Sequence, residues 1–331
     1  MMRGAIANYP LGGKLFILLG LYLLGESLFS YLALYLTSFI IPDGNIQTLV
    51  FDIDSYTSAD QFTIAQVQSL KLFQLLSSVG RFIITPLIFL YLQNKSVVFS
   101  TGLDKKINFR NIVLIIAVIL SSTAIISFMQ EWNASLHLPN TFAEMEQMMK
   151  NLEEQAQLQT DAFLGTTTIG GLLINIFIIG IVAAVGEELL FRGILQRIIY
   201  DHTGKLHLAV WTSAFVFSFI HLQFFGFFPR LLLGAVMGYV YGWSGSLRAP
   251  IFAHFINNTG AVITYYLINT NVLSEKFEEP SGWLQALITL PLFIIFILLY
   301  YRSTGYGKRL DNSVHYQRTT ESMDNENSSG K

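Results

Sequence analysis

The stretch Ile169–Arg192, IGGLLINIFIIGIVAAVGEELLFR, decides the fold. It runs uncharged as far as Gly186 and then closes on Glu187, Glu188 and Arg192. A bilayer core of about 30 Å takes roughly twenty apolar residues per helical span, and this run has that length. Working outward, comparable apolar stretches occur at Leu15–Ile41, Val67–Leu92, Ile112–Phe128, Leu208–Leu222, Arg230–Trp243, Pro250–Ile268 and Trp283–Tyr301; with Ile169–Leu190 they make about eight. The expectation is an all-α, polytopic membrane helix bundle. The first stretch is too long for a signal-peptide core and no small-residue cleavage site follows it, so it is kept as a span.

Composition agrees. Hydrophobic residues make up 52% of the 331 positions and charged residues only 13%, about half the roughly 25% of an ordinary soluble domain. Twenty Lys and Arg against 22 Asp and Glu leave a net charge of -2, so nothing favours nucleic acid as a partner. With no cysteine, thiolate nucleophiles and sulfur-ligated metals are excluded. Any chemistry must come from carboxylates, imidazoles, hydroxyls or amides.

Short cytoplasmic loops collect Lys and Arg. Lys95, Lys105, Lys106 and Arg110 follow the second span, Arg197 and Lys205 the fourth, and Arg302, Lys308 and Arg309 the last. The alternate segments are acidic, with Asp43, Asp52, Asp54 and Asp60, then Glu144, Glu146, Glu153 and Glu154, then Glu275, Glu278 and Glu279. Both termini are therefore expected on the cytoplasmic side. The organisation reads as three spans plus an outer amphipathic helix over residues 1–168, a core over 169–270, a final span over 271–301 and a polar, disordered tail over 302–331. The outer helix opens with Thr141 and Glu144 at capping-box spacing, followed by Phe142, Met145, Met149 and Leu152 on one stripe. No internal repeat suggests an inverted-repeat transporter.

Ionisable groups inside spans cost about 2.5 to 3.5 kcal/mol each on insertion scales and persist only when paired or useful. Glu26 and Arg81 both fall at a depth of about 16 Å from helical rise, which suggests an ion pair between the first two helices. A denser set comprises Glu187, Glu188 and Arg192, then His221, then His254 and Asn258. Glu188 and Arg192 stand four apart and can neutralise one another, leaving Glu187 to face the interior. His254 and Asn258, also four apart, share a helix face. With a tight hairpin at Asp201–Lys205, Glu187 and His221 reach about 20 and 22 Å from the turn, whereas His254 counts as shallower, at about 9 Å. Tilt or a recessed start to its helix must absorb that difference. Gly234, Gly238 and Gly242 recur every four residues, the spacing that lets helices approach closely. Gly186 serves a helix contact or leaves room beside the Glu187 carboxylate. Phe224, Phe225, Phe227 and Phe228 read as boundary anchors or a groove floor.

A carboxylate, two imidazoles and an amide converging inside a membrane can hold and activate a water. Two chemistries fit. In one, Glu187 is a general base while His254 and Asn258 stabilise the oxyanion. In the other, Glu187, His221 and His254 ligate a divalent metal such as zinc. Outside hydrolysis, the same residues suit a non-catalytic membrane scaffold or a proton-coupled transporter. A rhomboid-like serine protease reading of Gly242-Trp243-Ser244-Gly245 leaves Glu187, His221 and Asn258 unexplained. No His-Glu-x-x-His occurs anywhere in the chain.

The ordered set Glu-Glu-x-x-x-Arg, Phe-x-x-x-His and His-x-x-x-Asn resembles the CAAX protease and bacteriocin-processing (CPBP, or Abi) family of intramembrane proteases, which includes the type II CAAX prenyl endopeptidases. The resemblance covers about Ile169–Ile268. It implies Glu187 as catalytic glutamate, His221, His254 and Asn258 as the rest of the site, and Glu188 and Arg192 as structural support. It also implies a membrane-associated protein or peptide substrate, prenylated at its C-terminus in eukaryotic members. Bacterial members are linked to bacteriocin immunity or maturation and to surface-protein display. The implied protein is a multi-pass endopeptidase embedded in the lipid bilayer, in the cell membrane if bacterial, with a site opening toward the cytoplasmic half.

Overall fold

A computed structural model describes residues 2–51, 56–274, 276 and 281–307. Asp52, Asp54, Glu275, Glu278, Glu279, Lys308, Arg309 and the rest of the polar tail lie outside the described residues, within which there are helices and no strands. The longer helices are α1 (Leu11–Ile40), α2 (Ile64–Leu92), α3 (Phe109–Ala134), α4 (Ala143–Leu164), α5 (Ile169–Thr203), α6 (Leu206–Phe219), α7 (Phe227–Ser244), α8 (Arg248–Asn269) and α9 (Trp283–Ser303). All eight apolar stretches are helices. Five, α1, α2, α3, α5 and α9, are long and apolar enough to cross a bilayer, and the protein is a multi-pass membrane protein. Helix α6 is apolar but has only 14 residues, and α8 carries His254 and Asn258.

Helix α5 is the axis. Every residue from Leu189 to Gln196 is buried, and Leu190, Phe191, Ile194 and Ile198 share one apolar core with Leu18 of α1 and with Phe82 and Phe89 of α2. A second core joins Ile115 and Val118 of α3 to Met237 of α7, Ala253 of α8 and Tyr300 of α9. The expected ion pair is present: Arg81 Nη1 lies 2.7 Å from Glu26 Oε2, and Ser30 Oγ donates to Glu26 Oε1 at 3.2 Å. Glycine makes that approach of α1 and α2 feasible. A Cβ on Gly80 would fall 2.0 Å from Phe29 Cγ, and one on Gly25 2.2 Å from Thr85 Oγ1.

Three stretches widen into π-helix: Gly80–Ile84 in α2, and Ile176–Val182 and Leu189–Gln196 in α5. The last two bracket Glu187 and Glu188. Such bulges displace backbone carbonyls from the regular ladder and gather at functional sites.

The capping box at Thr141 does not form. Pro139 starts a 3₁₀ turn over Asn140–Phe142, and α4 begins behind it with no side-chain cap. The acid that secures this end is Glu146. It accepts the Leu138 N–H at 2.8 Å and pairs with Lys150 at 2.8 Å and His137 at 3.0 Å. Lys150 foremost, then His137 and the Leu138 N–H, hold the Glu146 carboxyl down at about 2 against an ordinary 4.5. A lowered carboxyl stabilises the fold above its unfolded value and loses that contribution as pH falls through its folded one. Amide exchange at residues 137–146, corrected for intrinsic rates, should therefore accelerate between pH 4.5 and pH 2. In Glu146→Gln this pH dependence should be absent and the segment already loose at neutral pH.

Candidate active site

The α5–α6 hairpin is as tight as its spacing predicts. Helix α5 runs to Thr203, Gly204 turns the chain at φ 66°, and α6 starts at Leu206. Ser213 Oγ donates to the Phe191 carbonyl at 3.0 Å and pins the two helices face to face. His254 reaches the same level because α8 starts beneath a strap. Ser246 Oγ donates to the Lys105 carbonyl at 2.7 Å and Arg248 Nε to the Leu103 carbonyl at 2.7 Å, so the segment after α2 covers the α7–α8 turn.

Glu188 is the hub. Fully buried, its Oε1 accepts Arg192 Nη1 at 2.7 Å and faces His254 Nδ1 at 2.8 Å. The i, i+4 pair is as the spacing predicts; the link to His254 is not visible in spacing at all. Because the carboxylate can only accept, His254 carries its proton on Nδ1 and turns Nε2 away from Glu188. Arg192 also donates from Nη2 to the Gly234 carbonyl at 2.8 Å and lies over the Phe217 ring, 4.9 Å from its centroid. One turn further, Gln196 Nε2 donates to the Gly238 carbonyl at 2.9 Å. Two side chains four apart on α5 thus meet two carbonyls four apart on α7. The glycines serve close packing, as their spacing suggests. A Cβ at Gly234 would sit 3.2 Å from Ala214 Cβ, one at Gly238 2.9 Å from Val210 Cγ1, and one at Gly242 2.5 Å from Leu206 Cδ1.

Glu187 takes the other face. It keeps 13% of its side chain exposed where Glu188 keeps none, so of the two it is the one a substrate can reach. Its Oε2 lies 3.9 Å from His254 Nε2, a separation that is no hydrogen bond and leaves a place for a bridging group. His221 follows the last turn of α6, with Nδ1 on the Phe217 carbonyl at 2.7 Å, so Nε2 is its unengaged nitrogen. Leu222, the next residue, is held at φ 54°, a left-handed conformation that a leucine adopts only under constraint. Gly186 is a helix contact: its Cβ would meet Phe82 Cβ at 2.7 Å.

Glu187, His221, His254 and Asn258 line one cavity of about 280 Å³. Glu187 and His221 also line a second, of about 530 Å³, walled by α2 and α4. They stand where the two meet. Asn258 lines the first cavity but is partly committed, donating Nδ2 to the Ile179 carbonyl in the π-stretch at 2.9 Å and accepting from Asn257 at 3.2 Å. Arg230, Asn257 and Gln130 on the first wall are not singled out by spacing, and Arg81, on the second, is expected from the sequence only as half of an ion pair. Ser244 is spent elsewhere, donating to the Val240 carbonyl at 2.7 Å, while the His254 ring turns to Glu188; the serine-protease reading has no dyad.

Residues of the Lys- and Arg-rich loops line neither cavity. Lys95 bridges to Asp201 at 3.3 Å and the Leu103–Lys105 strap covers the α7–α8 turn, which gathers those loops at one end of the bundle. The larger cavity is bounded instead by Leu49, Val50 and α4 residues Ala156, Gln159 and Thr160. Helix α4 borders the site: Ala156, Gln159 and Thr160 line the larger cavity, and Met145, Met149 and Leu152 line a smaller one together with Phe224 and Phe227. Phe224 and Phe227 thus face α4, whereas Phe228 lies against Trp132 of α3 at 5.4 Å.

For a divalent metal the donor chemistry is suitable. Both imidazoles have Nδ1 engaged and Nε2 unspent, the outer-shell pattern of metal-bound histidine. Among the described residues, however, no three His, Asp or Glu side chains are gathered as a ready-made ligand cluster.

Comparison with known proteins fits this geometry. Residues 169–260 match the family model described as type II CAAX prenyl endopeptidase Rce1-like. The uncharacterized protein YpbD of Bacillus subtilis (strain 168) is 30% identical over 109 residues, 32% of this chain and 52% of YpbD. The chain thus spans about half the length of that curated relative. No solved structure matches. The matched segment runs from the start of α5 into α8 and holds all six residues of the Glu187, Glu188, Arg192, His221, His254 and Asn258 set, so residues 169–260 are similar to the Rce1-like domain of type II CAAX prenyl endopeptidases.

Proposed function

We propose that this protein is an intramembrane endopeptidase that hydrolyses a peptide bond of a membrane-associated protein or peptide with water activated by Glu187. The observation that carries the reading is the division of labour between adjacent glutamates. Glu188 is buried and holds His254 by Nδ1, while Glu187 faces two cavities, 3.9 Å from His254 Nε2.

Glu187 takes a proton from water as the oxygen attacks the carbonyl carbon. The oxyanion receives N–H donation from His254 in its doubly protonated form or from the Asn258 amide. Glu187 returns the proton to the leaving nitrogen as the C–N bond breaks, releasing a carboxylic acid and an amine, which then exchange the remaining proton to give carboxylate and ammonium. His221, which lines both cavities with Glu187, orients the water. A bound divalent metal, if present, would be held by Glu187, His221 and His254 and would polarise the same water and carbonyl. The unspent Nε2 atoms favour testing that version: chelation should abolish activity and zinc restore it, whereas full activity in a metal-free preparation supports glutamate alone.

The substrate class is read by comparing C-terminal peptides of membrane proteins in cells bearing wild-type protein and the Glu187→Gln form. Products present only with wild type support the protease. A scaffold leaves both sets alike, and a proton-coupled transporter loses transport with no missing product. Prenylation is tested on matched peptides with and without the lipid.

A further inference from the structure

On the flank of the bundle, α5 and α8 leave an apolar groove of about 330 Å³ between Gly180, Ile181 and Ala184 on one side and Ile251 and Phe255 on the other. One end is closed by Leu103 and Arg248. Arg248 is exposed, and its guanidinium is fixed by a single bond, Nε to the Leu103 carbonyl at 2.7 Å. Lys105 belongs to the same strap, its carbonyl held by Ser246 Oγ and its Nζ 3.0 Å from where a Cβ of Gly245 would be. Among the described residues neither cation has an acidic partner in an ion pair. Asp104 is the acidic residue just before Lys105 in sequence, and Lys106 follows it. Arg248 is also the first residue of α8, where the helix dipole adds positive charge.

We propose that this groove is a binding site for an anionic phospholipid, with an acyl chain between α5 and α8 and its phosphate on Arg248 and Lys105. Two features commit the site to that occupant. The walls are apolar, as a chain in hydrocarbon requires. The unpaired cations lie at the basic end of the bundle, where headgroups collect, and basic pockets between spans at that level select anionic lipids. A zwitterionic lipid would bring its own cation to the mouth and gain nothing there. The lipid would brace the seam across which Glu188 holds His254, since Gly180 and Ala184 lie two turns and one turn before Glu188.

The test is native mass spectrometry of the full chain released from mixed phosphatidylglycerol and phosphatidylcholine vesicles. Wild type should retain phosphatidylglycerol in preference, and removing each cation, Arg248→Gln and Lys105→Gln, should lower retention about fivefold. Arg248→Lys, which keeps charge and fold, should stay within about twofold of wild type. Equal retention of the two lipids, or unchanged retention in the double variant with native helicity, overturns the proposal. So does displacement of the lipid by a prenylated peptide, which would make the groove part of the substrate path. Glycerophosphoglycerol without acyl chains should bind far more weakly; equal binding would remove the groove from the account.

Discussion

Glu187→Gln should fold as the wild type does and lose peptide hydrolysis by a factor of about 10² to 10⁴, the usual contribution of a positioned general base. Glutamine keeps the size and hydrogen-bonding capacity of the side chain and removes only the ability to take a proton. The neighbourhood should tolerate it, because the Glu187 carboxylate makes no hydrogen bond to His254 at 3.9 Å and its side chain is partly exposed. The loss should appear in kcat with little change in KM, since the carboxylate acts on water rather than on the bound peptide. His254→Asn should lower kcat by a similar order. His221→Asn should do the same while leaving thermal stability near wild type, because its ring bonds only the Phe217 carbonyl of its own helix end.

Arg192→Met should be the most destabilising single substitution in the site, by about 3 to 5 kcal/mol, the cost of stranding one member of a buried ion pair. Arg192 neutralises Glu188, ties α5 to the Gly234 carbonyl of α7 and covers the Phe217 ring. Its loss leaves a fully buried carboxylate with only the His254 ring as partner. Unfolding in detergent, followed by helicity, should show a large drop in midpoint. The double variant Arg192→Met with Glu188→Gln should recover much of it, because no uncompensated charge remains. Activity should not recover with stability, since glutamine in place of Glu188 no longer holds His254 Nδ1–H with a charge-assisted bond. A double variant as unstable as Arg192→Met alone would mean that the carbonyl and ring contacts, not the charge, dominate.

The apolar runs made the helices legible, because a bilayer sets their length and excludes charge. Glu26 with Arg81 followed from depth along two helices, and Glu188 with Arg192 from spacing on one. Contacts that depend on rotation of one helix about another did not follow. Nothing in the spacing aims His254 Nδ1 at Glu188, lays Gln196 on the Gly238 carbonyl, or turns Asn258 to Ile179. The paired spacings Arg192 to Gln196 and Gly234 to Gly238 were signals that could have found the second of these. The π-stretches also escaped notice, for they reset the angle between Glu187 and residues beyond Leu189 that regular helical rise would give. Thr141 had the right spacing for a cap, but Pro139 committed the chain to a 3₁₀ turn first, and Glu146 took over the anchoring.

Experimental density of the full chain in lipid nanodiscs tests the central claim most directly. The account predicts one ordered solvent molecule, or an ion in its place, within about 3.2 Å of a Glu187 oxygen and within reach of the Nε2 atoms of His254 and His221. Side chains of Glu187, His221 and His254 turned to separate partners, with no shared solvent among them, would contradict it.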